Sequence, residues 1–384
     1  MTTEIPVEKG LTLRSSHLAE ARRIVVKVGS AVLTCETGLN SEVMANLATE
    51  LSWLKEQGHE VILVSSGSVA AGRRKLGVVG RTISMREKQA LAAAGQSSLM
   101  HAYETVFTPF GHKVAQVLLT HGDFSHRHRY LNVRNTLFTL LEWGVLPIIN
   151  ENDTVSVDEL RFGDNDTLGA MVSNLIEADL LVLLTDVDSL YTGNPCTNPE
   201  ARPIHTVARV DSEVENMAGN VCGLLGTGGM RSKILAAKSV SLRGGCSFIG
   251  SGRRPRIVQD LFGGEPVGTF FLPRPEKMHS RKHWIGYTLR PKGFLVLDDG
   301  ACQALVGKGK SLLPSGILEV RGTFKIGDPV HCLDREGKPV AAGLVNYEAA
   351  DIVRIQGAKT CHIEKILGHK DGDEVIHRDN LVLL

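Results

Sequence analysis

The chain has 384 residues, 42% hydrophobic and 22% charged, with a formal net charge of +1 and a pI near 7.7. That length accommodates two domains with sizeable cores, and the charge lacks the basic excess of a dedicated nucleic-acid binder. Seven cysteines, dispersed at positions 35, 196, 222, 246, 302, 332 and 361 without a C-x-x-C pair, argue against a disulfide framework or a zinc site and fit a reducing compartment. No apolar run approaches the ~20 residues of a membrane span. The first twenty residues contain Glu4, Glu8 and Glu20 and no apolar stretch, which fits neither a secretory signal nor a transit peptide. They are expected to be a loosely ordered extension, residues 1–21, of a cytoplasmic protein.

Taken in order, the first apolar strand is Ile24-Val-Val-Lys-Val28. Residues 41–57 then set Val43, Leu47, Leu51 and Leu54 on one face at helical spacing, with Ser41 as the expected N-cap and Gly58 as the stop. Val61–Val64 reads as a second strand and 86–106 as a helix. Further strands read at 114–119, 145–149, 180–184 and 246–249, with helices between them, including 231–243. Near-continuous apolar strands separated by helices predict a parallel sheet buried on both faces. This α/β domain runs to about residue 273.

Residues 274–292 carry Arg274, Lys277, Arg281, Lys282, Arg290 and Lys292 without clear periodicity and read as a linker. From Gly293 onward, strands at 294–297, 316–320, 329–333 and 341–345, separated by Gly, Pro and Asp turns, predict a small β-rich domain. There are no internal repeats and no low-complexity tracts.

Polar residues follow the strands. Lys27 interrupts the first one, ahead of Gly29-Ser30; Ser65-Ser-Gly-Ser68 follows the second; Asn150-Glu-Asn-Asp153 follows 145–149; and Thr185-Asp186 follows 180–184. If the strands are parallel, these groups share one edge of the sheet, where open α/β sheets place ligands. A lysine buried alone would cost several kcal/mol, so Lys27 is expected to be paired or to face a charged ligand. Gly163-Asp-Asn-Asp166 adds a second amide and carboxylate cluster, suited to a ligand bearing both charge signs. Gly226-Thr-Gly-Gly-Met-Arg-Ser-Lys233 precedes a helix and suits phosphate. It is not a P-loop, and Gly307-Lys-Gly-Lys-Ser311 fails that pattern at Ala304. No G-x-G-x-x-G follows a strand. His126 and His128 lack partners at ligand spacing and read as a solvated turn or helix start. Two lysines, two phosphate-suited loops and an amide and carboxylate cluster fit phosphoryl transfer. A carboxylate acceptor, already ionised at neutral pH with a reference pKa of roughly 4.3, would need no general base.

In this order, Val25-Val-Lys-Val-Gly-Ser30, Val64-Ser-Ser-Gly-Ser68, Ile149-Asn-Glu-Asn-Asp153, Phe162-Gly-Asp-Asn-Asp-Thr-Leu168, Leu183-Leu-Thr-Asp186 and Gly226–Lys233 resemble the glutamate 5-kinase branch of the amino acid kinase family. The tail, with Asp298-Asp-Gly-Ala301 and Ser311-Leu-Leu-Pro-Ser-Gly316, resembles a PUA domain. The resemblance implies an αβα sandwich kinase domain over 22–273, a linker over 274–292 and a PUA-like domain over 293–384. It also implies ATP-dependent phosphorylation of the γ-carboxylate of L-glutamate, the first step toward proline. Lys27 and Lys233 would contact the phosphoryl group, with Asp166 holding the two lysines in place. Ser66, Gly67, Asp153 and Asn165 would bind glutamate. Thr185, Asp186, Thr227, Gly228, Gly229, Met230, Arg231 and Ser232 would bind ATP together with the two lysines. Mg²⁺ would arrive on ATP rather than in a protein cage, proline would be a feedback inhibitor, and the chain would form a homo-oligomer.

The chain departs from the family pattern at Gly169, where serine is expected, and in its N-terminal extension. An RNA-binding role for the tail is the rival from another class. From Lys292 to Leu384 there are twelve Lys+Arg against thirteen Asp+Glu, which weighs against it. Nearer rivals are kinases of acetylglutamate, aspartate or UMP; motif order and the tail favour glutamate.

Overall fold

The computed structural model describes residues 5–35, 38–78, 82–156, 164–195, 197–217, 229–275 and 280–384. Contacts divide the chain into two units, Met1–Lys277 and Met278–Leu384. The first is built on one eight-stranded sheet: β1 (Arg23–Val28), β2 (Glu60–Val64), β3 (Val114–Leu119), β4 (Leu146–Glu151), β5 (Leu180–Thr185), β6 (Thr206–Val207), β7 (Cys246–Ser251) and β8 (Thr269–Phe271). The order is β6-β8-β7-β5-β1-β2-β4-β3. From β7 to β3 every pair is parallel; β8 runs antiparallel to β7, and β6 pairs parallel to β8, so these two strands run against the rest. The chain therefore leaves β1 toward β2 on one side and returns on the other as β5, so a crevice opens at the carboxyl ends of these strands.

Side chains alternate across the sheet and bury two cores. On one face Val25, Ile62, Ile149, Leu181 and Ile249 pack under α5 (Arg127–Glu142), α6 (Asn165–Leu175) and α7 (Met230–Leu242). On the other, Ile24, Val26, Leu63 and Val182 pack under α2 (Ser41–Glu56) and α4 (Met85–Phe107). Each fully buried aliphatic side chain is worth about 1.5–3 kcal/mol against the chain entropy it opposes. The N-cap of α2 is Asn40 rather than the expected Ser41: its Oδ1 accepts from the backbone N–H of Glu42 and Val43 at 3.1 and 3.2 Å. Ser84 and Glu87 form a capping box at the start of α4. Between α2 and α4 lies α3 (Ser68–Lys75), pressed against α4 so closely that a Cβ at Gly72 would collide with the Leu91 carbonyl, and one at Gly95 with that of Ser68. This contact fixes the Ser66-Gly67 turn, in which Gly67 adopts φ +100°.

The N-terminal segment, expected to be loosely ordered, instead forms α1 (Val7–Glu20). Its anchor is polar. Arg14 is only 1% exposed and donates to the carbonyl oxygen of Val267 at 2.6 Å, with its guanidinium carbon 5.6 and 5.9 Å from the rings of Phe270 and Phe248. Burial pushes its pKa down to about 10. Gly10 closes the contact, lying directly against Thr206. A helix held by an arginine and a glycine has little apolar periodicity to announce it.

The second unit carries a five-stranded sheet, β10-β9-β11-β12-β13, made of β9 (Gly293–Leu297), β10 (Ile317–Gly322), β11 (Pro329–Leu333), β12 (Pro339–Leu344) and β13 (Leu381–Leu383). Leu295, Leu297, Val330, Cys332, Tyr347 and Ile352 are in its core. Three helices among the strands go beyond the strand-only expectation: Asp299–Lys308, capped by the Asp298 side chain on the Ala301 N–H at 2.6 Å, Ala349–Ile355 and the short Ile363–Leu367. Gly309 ends the first of them at φ +56°, which is the structural use of the Gly-Lys-Gly-Lys run. Part of the expected linker is folded: residues 280–288 are helical, and Ile285 and Trp284 pack on Ala342, Leu344 and Val382. Among the described residues no helix is long and apolar enough to cross a membrane.

Candidate active site

Lys27 lies near the carboxyl end of β1 and is 6% exposed. Its Nζ is 2.5 Å from Oδ1 of Asp166, which has no exposed surface. Asp166 occupies the first turn of α6, where the helix dipole favours an anion. The turn is fixed by Asp164, whose side chain accepts from the Thr167 N–H at 3.0 Å. The opposite oxygen, Oδ2, receives Lys233 Nζ at 3.0 Å and Ser232 Oγ at 2.7 Å, both from the first turn of α7. Burial by itself would raise the Asp166 pKa; the two ammonium groups and the hydroxyl outweigh it and hold the carboxyl below its ordinary range. The result is one carboxylate between two cations, with one positive charge left over. Further along, Asn174 Nδ2 donates to Ser239 Oγ at 3.0 Å and ties α6 to α7.

Gly169 lies beneath this cluster. A Cβ there would sit 3.4 Å from Lys27 Cβ and 3.5 Å from Leu181 Cδ1. A serine Cβ would make only ordinary van der Waals contact with the stem of Lys27, so space does not explain the glycine.

Next to Asp166, the Asn165 amide binds the ends of two strands together. Its Nδ2 donates to Ser65 O and Ser66 Oγ, each at 2.8 Å, and approaches Asn150 Oδ1 at 3.1 Å. Behind them the Ser65 hydroxyl meets the Tyr103 phenol at 2.6 Å, and burial pushes that phenol well above its usual range. In front is a cleft of about 580 Å³, lined by Ser66, Gly67, Asp153 and Asn165. It also contains Arg73 and Lys88 as cations and Glu151 and Asp164 as further carboxylates. Such a lining matches a small ligand with two carboxylates and one ammonium.

A second pocket, of about 300 Å³, is walled by Leu190, Tyr191, Pro195, Met217 and Met230, with Asp186 and Asp188 at its polar side. Thr185 is buried at its edge and donates to Asp186 Oδ1 at 3.0 Å. Asn165 of the first cleft adjoins Asp166, and Met230 of the second begins the turn that carries Lys233, so the charged cluster links the two. Of the remaining nucleotide-loop residues, Gly229 caps α7 and Arg231 is exposed. Thr227 and Gly228 lie outside the described residues.

Sequence reasoning missed Arg73, Lys88 and the apolar wall of the second pocket. Nothing in their local spacing marks them, because the fold brings them in from separate helices and loops.

A polar cleft and a largely apolar pocket joined by buried cations define a phosphotransferase of the open α/β type. Residues 22–249 match the amino acid kinase family, and residues 293–367 match the PUA domain. The chain belongs to the amino acid kinase family. Glutamate 5-kinase of Desulfotalea psychrophila is 56% identical over 375 residues, spanning 97% of this chain and 100% of its own. That of Geobacter sulfurreducens is 53% identical over 373 residues, with the same two shares, 97% and 100%. That of Meiothermus ruber is 50% identical over 362 residues, spanning 94% and 96%.

The cluster makes a stability prediction. Asp166→Asn leaves two buried ammonium groups without their counter-charge and should cost about 3–5 kcal/mol. Because the folded pKa of Asp166 is lowered, its contribution is complete above the unfolded value of about 3.9 and is lost as pH falls through the folded value. Denaturant melts across pH should show a constant gap between wild type and variant near neutrality that narrows below about pH 4. A gap that persists unchanged into strong acid would contradict the pairing.

Proposed function

We propose that this chain transfers the γ-phosphoryl group of ATP to the γ-carboxylate of L-glutamate, giving γ-glutamyl 5-phosphate and ADP, the first step of proline biosynthesis. The observation that carries the reading is the Lys27–Asp166–Lys233 cluster between a cleft suited to a dicarboxylic amino acid and a pocket suited to a nucleotide. Near-full-length identity to glutamate 5-kinases supports it.

In the reaction a γ-carboxylate oxygen attacks the γ-phosphorus of ATP, and the bond from that phosphorus to the β,γ-bridging oxygen breaks. The acceptor is already ionised at neutral pH, so no proton has to be removed. Lys27 and Lys233 neutralise charge on the transferring group, held in place beforehand by Asp166. Asp153 pairs with the α-ammonium and, with Asn165 and the Ser66-Gly67 turn, sets the reach of the γ-carboxylate. Thr185, Asp186 and the 227–233 stretch hold the nucleotide, the stretch through its backbone, Met230 and Lys233 rather than through the Ser232 hydroxyl. Both oxygens of Asp166 are taken by Lys27, Lys233 and Ser232, so Mg²⁺ would have to enter with ATP rather than bind at this carboxylate, and would there help neutralise phosphate charge. Proline also carries a cationic α-nitrogen, secondary rather than primary, beside an α-carboxylate and would compete for the same cleft as a feedback inhibitor. Light scattering on the purified chain would report the homo-oligomer that the family implies.

Hydroxylamine converts acyl phosphates to hydroxamates. With Mg-ATP and L-glutamate the protein should form γ-glutamyl hydroxamate, and added proline should raise the apparent KM for glutamate. Turnover of acetylglutamate or aspartate with none of glutamate would overturn the substrate assignment. Asp153→Asn should raise the KM for glutamate by roughly tenfold or more while leaving that for ATP nearly unchanged, as expected when one charged contact to a single substrate is lost. Equal rises for both substrates would remove Asp153 from the glutamate site.

A further inference from the structure

Ser232 is the third residue of α7, which Gly229 caps, and its Oγ lies 2.7 Å from Asp166 Oδ2 and 2.9 Å from the carbonyl oxygen of Gly229. A hydroxyl has one proton to give. If that proton went to Gly229, a lone pair of Oγ would face an ionised carboxylate oxygen at 2.7 Å. The proton therefore points at Asp166, as a charge-assisted bond. In the family resemblance Ser232 is part of the nucleotide-binding stretch. Its geometry spends its only donor on the carboxylate instead.

The other two donors to that carboxylate are long, flexible ammonium side chains, whereas a serine hydroxyl is set by one torsion on a helical backbone. A carboxylate rotates easily about its last bond, so two lysines by themselves leave its plane free to swing. A third donor on Oδ2, tied to the first turn of α7, removes that freedom. We propose that Ser232 is a positioning residue, whose hydroxyl fixes the rotation of the Asp166 carboxylate and, through it, the direction in which Lys27 and Lys233 present their charges.

The inference rests on the kinase reading given above but not on glutamate as the acceptor. It is tested by ADP release with whichever acceptor the wild-type protein turns over, so a wrong substrate assignment shows in the wild type alone. Ser232→Ala should lower kcat by roughly ten- to a hundredfold, the loss expected for one hydrogen bond to a charged group. The KM values for ATP and acceptor should stay within about twofold, since neither substrate loses a contact. Ser232→Thr keeps the hydroxyl on the same carbon and should recover most of kcat. Circular dichroism melts of both variants confirm that folded protein is compared. A raised KM for ATP with kcat intact in Ser232→Ala would make the hydroxyl a nucleotide contact and overturn the proposal. An Ala variant as fast as wild type, or a Thr variant as slow as Ala, would overturn it too.

Discussion

The buried carboxylate of Asp166 is the constraint on which the rest of the site depends. Two ammonium groups cannot be brought into a dry sheet edge without an anion, and a single anion cannot be buried there without at least one cation. The chain satisfies both at once with three elements: β1 supplies Lys27, α6 supplies Asp166 and α7 supplies Lys233. The excess positive charge left after pairing is what a phosphoryl group in flight would meet. Desolvation makes the pairing strong, and the same desolvation would make each lysine costly if its partner were removed.

The fold serves that arrangement in plain ways. Parallel strands bring four polar strand ends to one edge, and β1, next to both β2 and β5, gives Lys27 a place between the two pockets. The Asn174–Ser239 bond holds α6 and α7 together further along. The Asn165 amide, one residue before Asp166, couples the carboxylate's helix to the Ser65–Ser66 turn, so the polar cleft and the charged cluster share a backbone.

Much of this was legible in the sequence, for physical reasons. The strands are short apolar runs that no solvated segment would contain, and Lys27, a charge inside one of them, signals a buried partner. Asp166 could be named from its motif. The identity of the partner oxygen for each lysine, and the part taken by Ser232, required coordinates. Arg73 and Lys88 were invisible because surface helices abound in such residues and only tertiary placement turns them into a cleft lining. The α1 helix was missed since its hold on the core is a guanidinium on backbone carbonyls, a contact with no apolar period. The helical 280–288 segment was obscured by its basic neighbours, although Trp284 and Ile285 are the residues that pack.

If Asp166 acts through the lysines, its removal and theirs must be coupled. A double-mutant cycle in kcat with Lys27→Ala and Asp166→Asn measures this directly. Lys27→Ala should cost about 10²-fold or more, as for a lost transition-state donor. In its background, Asp166→Asn should cost at least about tenfold less than it does in the wild type, because one of the two groups it positions is already gone. Losses that multiply independently to within about twofold would show that Asp166 does its work without Lys27, contradicting the account.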